Sequence, residues 1–452
     1  MAENAVPEDR PHVRFAPSPT GLLHLGNIKA AVINWLFARH HGGDFMLRID
    51  DTDHGRSEQA FEAAILDDLR WLGLDWDRFA RQSERTARYE AAISGLKAAG
   101  RLYACYETPE ELDRKRGLQR ASGRPPVYDR AGLDLTAEQR RAFEAEGRRP
   151  HWRFLLDRER VVWDDLVRGR QEVDAASLSD PVLIREDGRP LYTLTSTVDD
   201  GEFGITHVIR GEDHVANTAA QIQLFEALGH EAPAFGHFAL LVDMDGAPLS
   251  KRAGSLTVEA LREDGIEPLA IVSLLARLGT SKPVELFGSR DAAADAFDLS
   301  AFGRAAARFD MRELERLSVQ VLQSLDGDAA ASRIGDRRER TRAVWEAVKG
   351  NIARFEDFAH WIDMIDKPIR PVIEDADYCA RAAELMPEGD LGEESWKAWT
   401  AALKAETGRK GKALFMPLRK ALTGREHGPE MQKLLPLIGR DRAVRRLRGE
   451  TA

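Results

Sequence analysis

The sequence predicts a multidomain α/β protein: a doubly wound, Rossmann-like parallel sheet with an insertion, followed by α-helical domains. Three observations carry that prediction. The stretch Arg14-Phe15-Ala16-Pro17-Ser18-Pro19-Thr20-Gly21-Leu22-Leu23-His24-Leu25-Gly26-Asn27 runs from an apolar segment through two prolines and a glycine into an alanine-rich helical pattern. Short apolar runs alternate with helical periodicity on both sides of a looser stretch spanning about 89–182. Beyond about residue 259 strand signals nearly vanish and helical periodicity takes over.

Taken in order, a helix is predicted over 28–41, and Phe45-Met46-Leu47-Arg48-Ile49-Asp50 reads as a buried parallel strand ending in acids. Ser57 suits the N-cap of a helix over 58–74, with Phe61, Ile65, Leu69 and Leu72 at helical spacing. In the looser stretch, helices are predicted at 89–99, 110–120 and 137–146, and strands at 151–156 and 160–163. The doubly wound pattern resumes with 181–185, then 191–198 and the apolar run 204–210, followed by a helix over 217–228 and a strand at 239–242. Later helices fall at 268–278, 311–324, 340–348, 352–365, 394–406 and 414–422. The domain reading is a disordered tail at 1–10, two halves of the sheet domain at 11–88 and 183–247, and an insertion at 89–182. A loop and contact region at 248–310 and a helical end at 311–452 complete it.

Composition narrows the class. With 452 residues, 43% hydrophobic and 31% charged, the chain is an ordinary soluble protein of two to four domains. Its two cysteines, Cys105 and Cys379, exclude a disulfide framework and a zinc ribbon. The first ten residues lack an apolar core and no apolar run reaches membrane-spanning length, so a cytoplasmic protein is expected. The net charge of −10 hides a basic end: residues 400–452 hold 13 Lys and Arg against 5 Asp and Glu. A polyanionic partner and a solvated helix face explain that end about equally well.

The opening stretch has the chemistry of a phosphate cradle, because a strand, turn and helix start deliver unpaired N–H groups and a positive dipole end to one place. His24 and Asn27, three apart on the first turn, can face one ligand, and Gly26 lets a flat group approach the backbone. About 220 residues later, Pro248-Leu249-Ser250-Lys251-Arg252-Ala253-Gly254-Ser255 places two cations on a loop. That suits neutralisation of a departing pyrophosphate.

Together the two stretches resemble the paired signatures of the class I aminoacyl-tRNA synthetases. The first, usually H-I-G-H, is His24-Leu25-Gly26-Asn27; the second, usually K-M-S-K-S, is Pro248-Leu249-Ser250-Lys251-Arg252. The chain is similar to the bacterial glutamyl-tRNA synthetases through its opening stretch, Leu47-Arg48-Ile49-Asp50-Asp51-Thr52-Asp53, Val198-Asp199-Asp200 and His207-Val208-Ile209-Arg210-Gly211-Glu212-Asp213-His214. Pro417-Leu418-Arg419-Lys420-Ala421-Leu422-Thr423-Gly424 extends the likeness to that family's anticodon-binding domain.

The resemblance implies a glutamate–tRNA ligase that uses ATP with Mg2+, takes L-glutamate and tRNA(Glu), works as a monomer and stands apart from membranes. Catalytic roles fall to His24, Asn27, Ser250, Lys251 and Arg252. The ATP site would comprise Pro17, Ser18, Pro19, Thr20, Gly21, His24, Gly26, Asn27, Leu249, Ser250 and Lys251. Glutamate would meet Arg14, Ala16, Ser18, Asp50, Tyr192, Ser196 and Arg210, and tRNA would meet Arg419. The insertion would bind the acceptor end, and 311–452 the anticodon. The chain departs from the family pattern at four places. Asp50 stands for a usual Glu, Pro248 for a lysine, and Glu313 and Ser318 for a lysine and an asparagine. Some members carry a zinc knuckle in the insertion; Cys105-Tyr106-Glu107 keeps one cysteine, so no zinc is expected. A paralogue of the glutamyl-queuosine type is the alternative, opposed by the helical end.

Overall fold

The computed structural model describes residues 10–53, 58–247, 249 and 256–452. The tail predicted at 1–10, except Arg10, and the N-cap predicted at Ser57 lie outside those residues. The chain divides into two units, Met1–Glu263 with Ile271–Met311, and Asp264–Ala270 with Arg312–Ala452.

In the first unit, β1 (His12–Phe15) leads into α1 (Leu25–His40), β2 (Asp44–Ile49), α2 (Gln59–Leu72) and β3 (Arg78–Arg81). β2 lies parallel between β1 and β3, with Val13 opposite Phe45 and Leu47 opposite Phe79. The insertion follows with α3 (Thr86–Ala98), β4 (Leu102–Cys105), α4 (Pro109–Ala121), α5 (Ala137–Ala145) and β5 (His151–Phe154). It continues through β6 (Arg160–Asp165), β7 (Gly169–Asp174) and β8 (Val182–Ile184). β6 and β7 form an antiparallel hairpin, and β4, β5 and β8 an antiparallel sheet. The run predicted at 181–185 as part of the parallel sheet therefore pairs inside the insertion, where Leu183 and Ile184 pack with Leu102 and Phe154. A three-residue apolar strand carries no sign of which partner it will take.

The second half of the parallel sheet comprises α6 (Tyr192–Glu202), β9 (His207–Gly211), α7 (Val215–Ala227), β10 (Ala234–Phe238) and β11 (Leu241–Val242). β9 and β10 run parallel. β1 and β9 lie side by side at their starts, where Thr206 N donates to His12 O at 3.0 Å and His12 N to Thr206 Oγ1 at 2.8 Å. Further along, Ile209 O accepts from the Asn34 amide of α1 at 2.9 Å. Strand order reverses between β1 and β9, which opens a crevice beyond their carboxyl ends. The unit is completed by α8 (Val258–Glu263), α9 (Pro268–Arg277), shared with the second unit, then α10 (Arg290–Asp295) and β12 (Ala307–Arg308), which pairs with β11.

The second unit is helical. It runs through α11 (Met311–Ser324), α12 (Gly327–Ile334), α13 (Glu339–Val348), α14 (Glu356–Asp366), α15 (Ala376–Glu384) and α16 (Glu393–Thr407). Then come α17 (Lys412–Thr423), α18 (Met431–Ile438) and α19 (Arg440–Leu447). Trp345, Phe358, Trp399, Leu418 and Leu434 belong to one apolar core. Buried Arg446 donates to the carbonyls of Ala452 at 2.7 Å and of Leu422 and Met364 at 2.8 Å. Part of the basic end is thus spent on unpaired carbonyls of helix ends.

Candidate active site

His24 caps α1, because its Nδ1 accepts from Gly26 N–H at 3.1 Å while Asn27 Oδ1 accepts from His24 N–H at 3.3 Å. A Cβ on Gly26 would stand 2.9 Å from His24 Cε1 and 3.0 Å from Nδ1. The glycine makes room for the imidazole, a local role different from the close ligand approach expected of it. Burial lowers the His24 pKa, so the ring is neutral with its proton on Nε2. Nε2–H and the Asn27 amide nitrogen remain as donors beside the start of a helix dipole.

The segment that follows the second signature pairs with this cradle. Leu25 N donates to Leu256 O at 3.0 Å, Val258 N donates to Leu23 O at 2.9 Å, and His24 bridges Thr257 antiparallel. Leu249, on the other side of the loop, lines the same cavity as His24. Pro248, Ser250, Lys251 and Arg252 lie outside the described residues.

That cavity, of about 740 Å³, occupies the crevice at the strand reversal. Arg14, Ala16, Pro17, Ser18, Thr20, Gly21, Gly26, Asn27, Tyr192 and Arg210 line it as well. Pro19, Asp50 and Ser196 do not. Asp50 gives both oxygens to Arg48, at 2.7 and 3.2 Å, and Ser196 Oγ accepts from Arg48 at 3.0 Å. Burial pushes the Asp50 carboxyl up to about 6 against the pull of that guanidinium.

The two cavity arginines are held differently. Arg14 Nε donates to both Asp200 oxygens, at 3.3 and 3.2 Å, and Arg48 shares that carboxylate at 2.7 Å. Arg210 instead meets neutral acceptors: Tyr192 OH at 3.3 Å, Thr218 Oγ1 at 2.8 Å, Gln221 Oε1 at 2.7 Å and His237 Nε2 at 3.2 Å. Among the described residues no carboxylate pairs with it, and burial lowers its pKa. A buried cation whose partners are all neutral is suited to an incoming anion.

Sequence reasoning did not find Lys29, Asn34 and His214, which also line the cavity. Lys29 follows Gly26 by one short turn, the available signal; its ammonium donates to Ala239 O at 2.8 Å and burial brings its pKa down to about 7. Thr218, Gln221 and His237 stand behind Arg210 and carry no local motif.

In the insertion, ligand-type atoms of Cys105, Glu107 and His151 lie within 4.8 Å of one another. The pairing of β4 with β5 sets Cys105 opposite His151, a juxtaposition the sequence reading missed. The trio fits zinc poorly. Among the described residues it is one ligand short of a closed site, and Glu107 Oε1 already accepts from Tyr128 at 2.8 Å and Lys115 at 3.1 Å, while Glu107 Oε2 and His151 Nε2 have no partner. In the second unit, Arg419 Nη2 donates to Pro429 O at 2.8 Å, while buried Nη1 has no partner.

Residues 11–316 match the family model of the class I tRNA synthetases (E and Q), catalytic domain, and residues 316–450 match an anticodon binding domain. Among relatives, a glutamate–tRNA ligase 1 of Maricaulis maris is 57% identical, with 97% of this chain and 99% of the relative covered. A glutamate–tRNA ligase of Azospirillum brasilense is 53% identical, with 97% and 99% covered. The crystal structure of a glutamate tRNA ligase from Elizabethkingia meningosepticum, in complex with its amino acid, matches with a TM-score of 0.84 at 29% identity, covering 97% of this chain and 98% of that one. The chain belongs to the glutamate–tRNA ligase family of class I synthetases.

Proposed function

We infer that the chain activates glutamate with ATP to glutamyl-adenylate and transfers it to the terminal adenosine of tRNA(Glu). The observation that carries this reading is the closure of the segment after the second signature onto His24, beside a buried arginine held by neutral acceptors. ATP, arriving with Mg2+ to neutralise its phosphates, would lie over the start of α1. His24 Nε2–H, the Asn27 amide and the N–H groups of the first turn would donate to it. Pro17, Ser18, Pro19, Thr20, Gly21 and Leu249 would shape its bed, and Ser250, Lys251 and Arg252 would neutralise the departing pyrophosphate.

The substrate's α-carboxylate needs little help from a base, so positioning and charge stabilisation make up most of what the residues contribute. Arg14, Ala16, Ser18 and Tyr192 would hold the amino acid, with Arg210 taking its side-chain carboxylate. Asp50 and Ser196 would act behind Arg14 through Arg48 and Asp200. A glutamine amide would leave Arg210 without an anion. Arg419 and the rest of the helical unit would hold the anticodon. The paralogue reading is not favoured, since the relatives match over nearly the whole chain and 316–450 matches an anticodon domain. No helix among the described residues is long and apolar enough to cross a membrane, and a cytoplasmic, zinc-free monomer is our reading.

Charging of purified tRNA(Glu) and tRNA(Gln) separately tests the reading and fixes its tRNA range. Glutamylation of tRNA(Glu) is expected; failure to charge either tRNA with glutamate would contradict it.

A further inference from the structure

Arg210 and His237 are register neighbours on β9 and β10, and Arg210 Nε donates to His237 Nε2 at 3.2 Å. His237 is 0% exposed, and its Nδ1 makes a short contact with Asp165 Oδ2. Asp165 comes from the far side of the chain's insertion, at the end of β6 where the hairpin turns. Its Oδ1 accepts from the backbone N–H groups of His237 at 3.1 Å, Val167 at 3.0 Å and Arg168 at 2.9 Å. Against burial, the His237 side chain first and then those backbone donors hold the carboxyl down at about 2, and burial lowers the pKa of His237.

The proton count follows. An ionised carboxylate can only accept, so the single N–H of the neutral imidazole sits on Nδ1. Nε2 therefore offers a lone pair to Arg210 Nε–H. The other tautomer would set two donors against each other at Arg210 and a lone pair against the carboxylate at Asp165. A protonated ring would place a second cation beside Arg210. Thr218, whose hydroxyl lies 2.8 Å from Arg210 Nη2 and 3.0 Å from His237 Nε2, ties the same three groups together.

We propose that Asp165 and His237 are positioning residues for Arg210: they fix its guanidinium through a neutral imidazole of one tautomer, leave its charge for the side-chain carboxylate of the amino acid, and so set the preference for glutamate over glutamine. The negative charge of Asp165 stands behind the imidazole, near enough to orient it and without direct pairing to Arg210. A carboxylate placed directly on Arg210 would satisfy the guanidinium and blunt its selection of an anionic substrate. This proposal rests on the reading of Arg210 as the carboxylate-binding residue.

The test is ATP–pyrophosphate exchange by the full chain with added tRNA, comparing glutamate with glutamine for Arg210→Ala, His237→Leu, His237→Gln and Asp165→Asn. Thermal melts serve as a control. Asp165→Asn and His237→Leu are expected to raise KM for glutamate about tenfold or more, with kcat changed far less, and to lower the glutamate-to-glutamine ratio of kcat/KM in parallel. His237→Gln, whose carbonyl oxygen can accept from Arg210 Nε without titrating, should restore most of both. Wild-type KM and ratio in Asp165→Asn and His237→Leu, alongside an impaired Arg210→Ala, would overturn the proposal alone. So would a His237→Gln variant as impaired as His237→Leu. An unchanged glutamate KM in Arg210→Ala would overturn the reading of Arg210 and the proposal with it.

Discussion

Arg14 and Arg48 grip the same carboxylate, that of Asp200, through Nε at 3.2 Å and Nη1 at 2.7 Å. Arg14 lines the cavity, while Arg48 is fully buried and also holds Asp50 and Ser196. Asp199 beside them accepts from Gln82 at 2.8 Å, Arg85 at 2.6 Å and Tyr89 at 2.9 Å. The end of the crevice proposed to take the amino acid thus stands on a buried ionic cluster, and removing one member leaves the others uncompensated.

Asp200→Ala should therefore cost about 3–5 kcal/mol of stability, because two buried guanidinium groups lose their shared anion. Chemical denaturation measures that loss. Exchange kinetics on the folded fraction should show a higher KM for glutamate as Arg14 loses its anchor. Stability within about 1 kcal/mol of the parent would count against the cluster's role.

Gly26→Ala separates stability from chemistry. Alanine favours the helix by up to about 1 kcal/mol, yet its Cβ would collide with the His24 ring at 2.9 Å. The melting temperature should barely move while kcat/KM for ATP falls about tenfold or more, because the Nε2–H donor is displaced. A fall in stability with unchanged kinetics would contradict the cap geometry.

Asp68 is 6% exposed on α2, its Oδ2 has no partner, and burial beside Glu259 pushes its carboxyl up to about 7. A folded-state pKa above the unfolded value means that the stability held at low pH is lost as pH rises through that range. Asp68→Asn should raise the stability by roughly 1–3 kcal/mol at pH 8 and leave it unchanged near pH 4. Melts across that range decide it.

The insertion should hold together without zinc. Purified protein is expected to carry far less than one zinc per chain by elemental analysis, and a chelator should leave its melting curve unmoved. A stoichiometric zinc removed with loss of structure would show that Cys105, Glu107 and His151 bind metal.

The parallel sheet was readable where strand and helix each had their own periodicity, as at β1, α1 and β2. β3 and β7 escaped because Arg78-Phe79-Ala80-Arg81 and the exposed Gly169–Asp174 lack an apolar alternation, and β10 because Gly236 breaks its run. The cradle residues were legible because they are contiguous and their chemistry is local. Arg210 was legible through the motif around it, whereas Asp165 and His237 are 72 residues apart and meet only through folding of the insertion. Asp50 was expected to face the amino acid. Its motif marked the right strand end, but a motif cannot show that the side chain turns to Arg48. The charge asymmetry of the end was real, yet Arg446 and Arg442 spend their donors on carbonyls within the same unit.

The most direct test of the account is glutamate-dependent ATP–pyrophosphate exchange by the full chain in the presence of tRNA(Glu), with and without Arg210→Ala. The account predicts exchange with glutamate, little with glutamine, and a large rise in glutamate KM when Arg210 is removed. Absence of glutamate-dependent exchange, or exchange indifferent to Arg210, would contradict it.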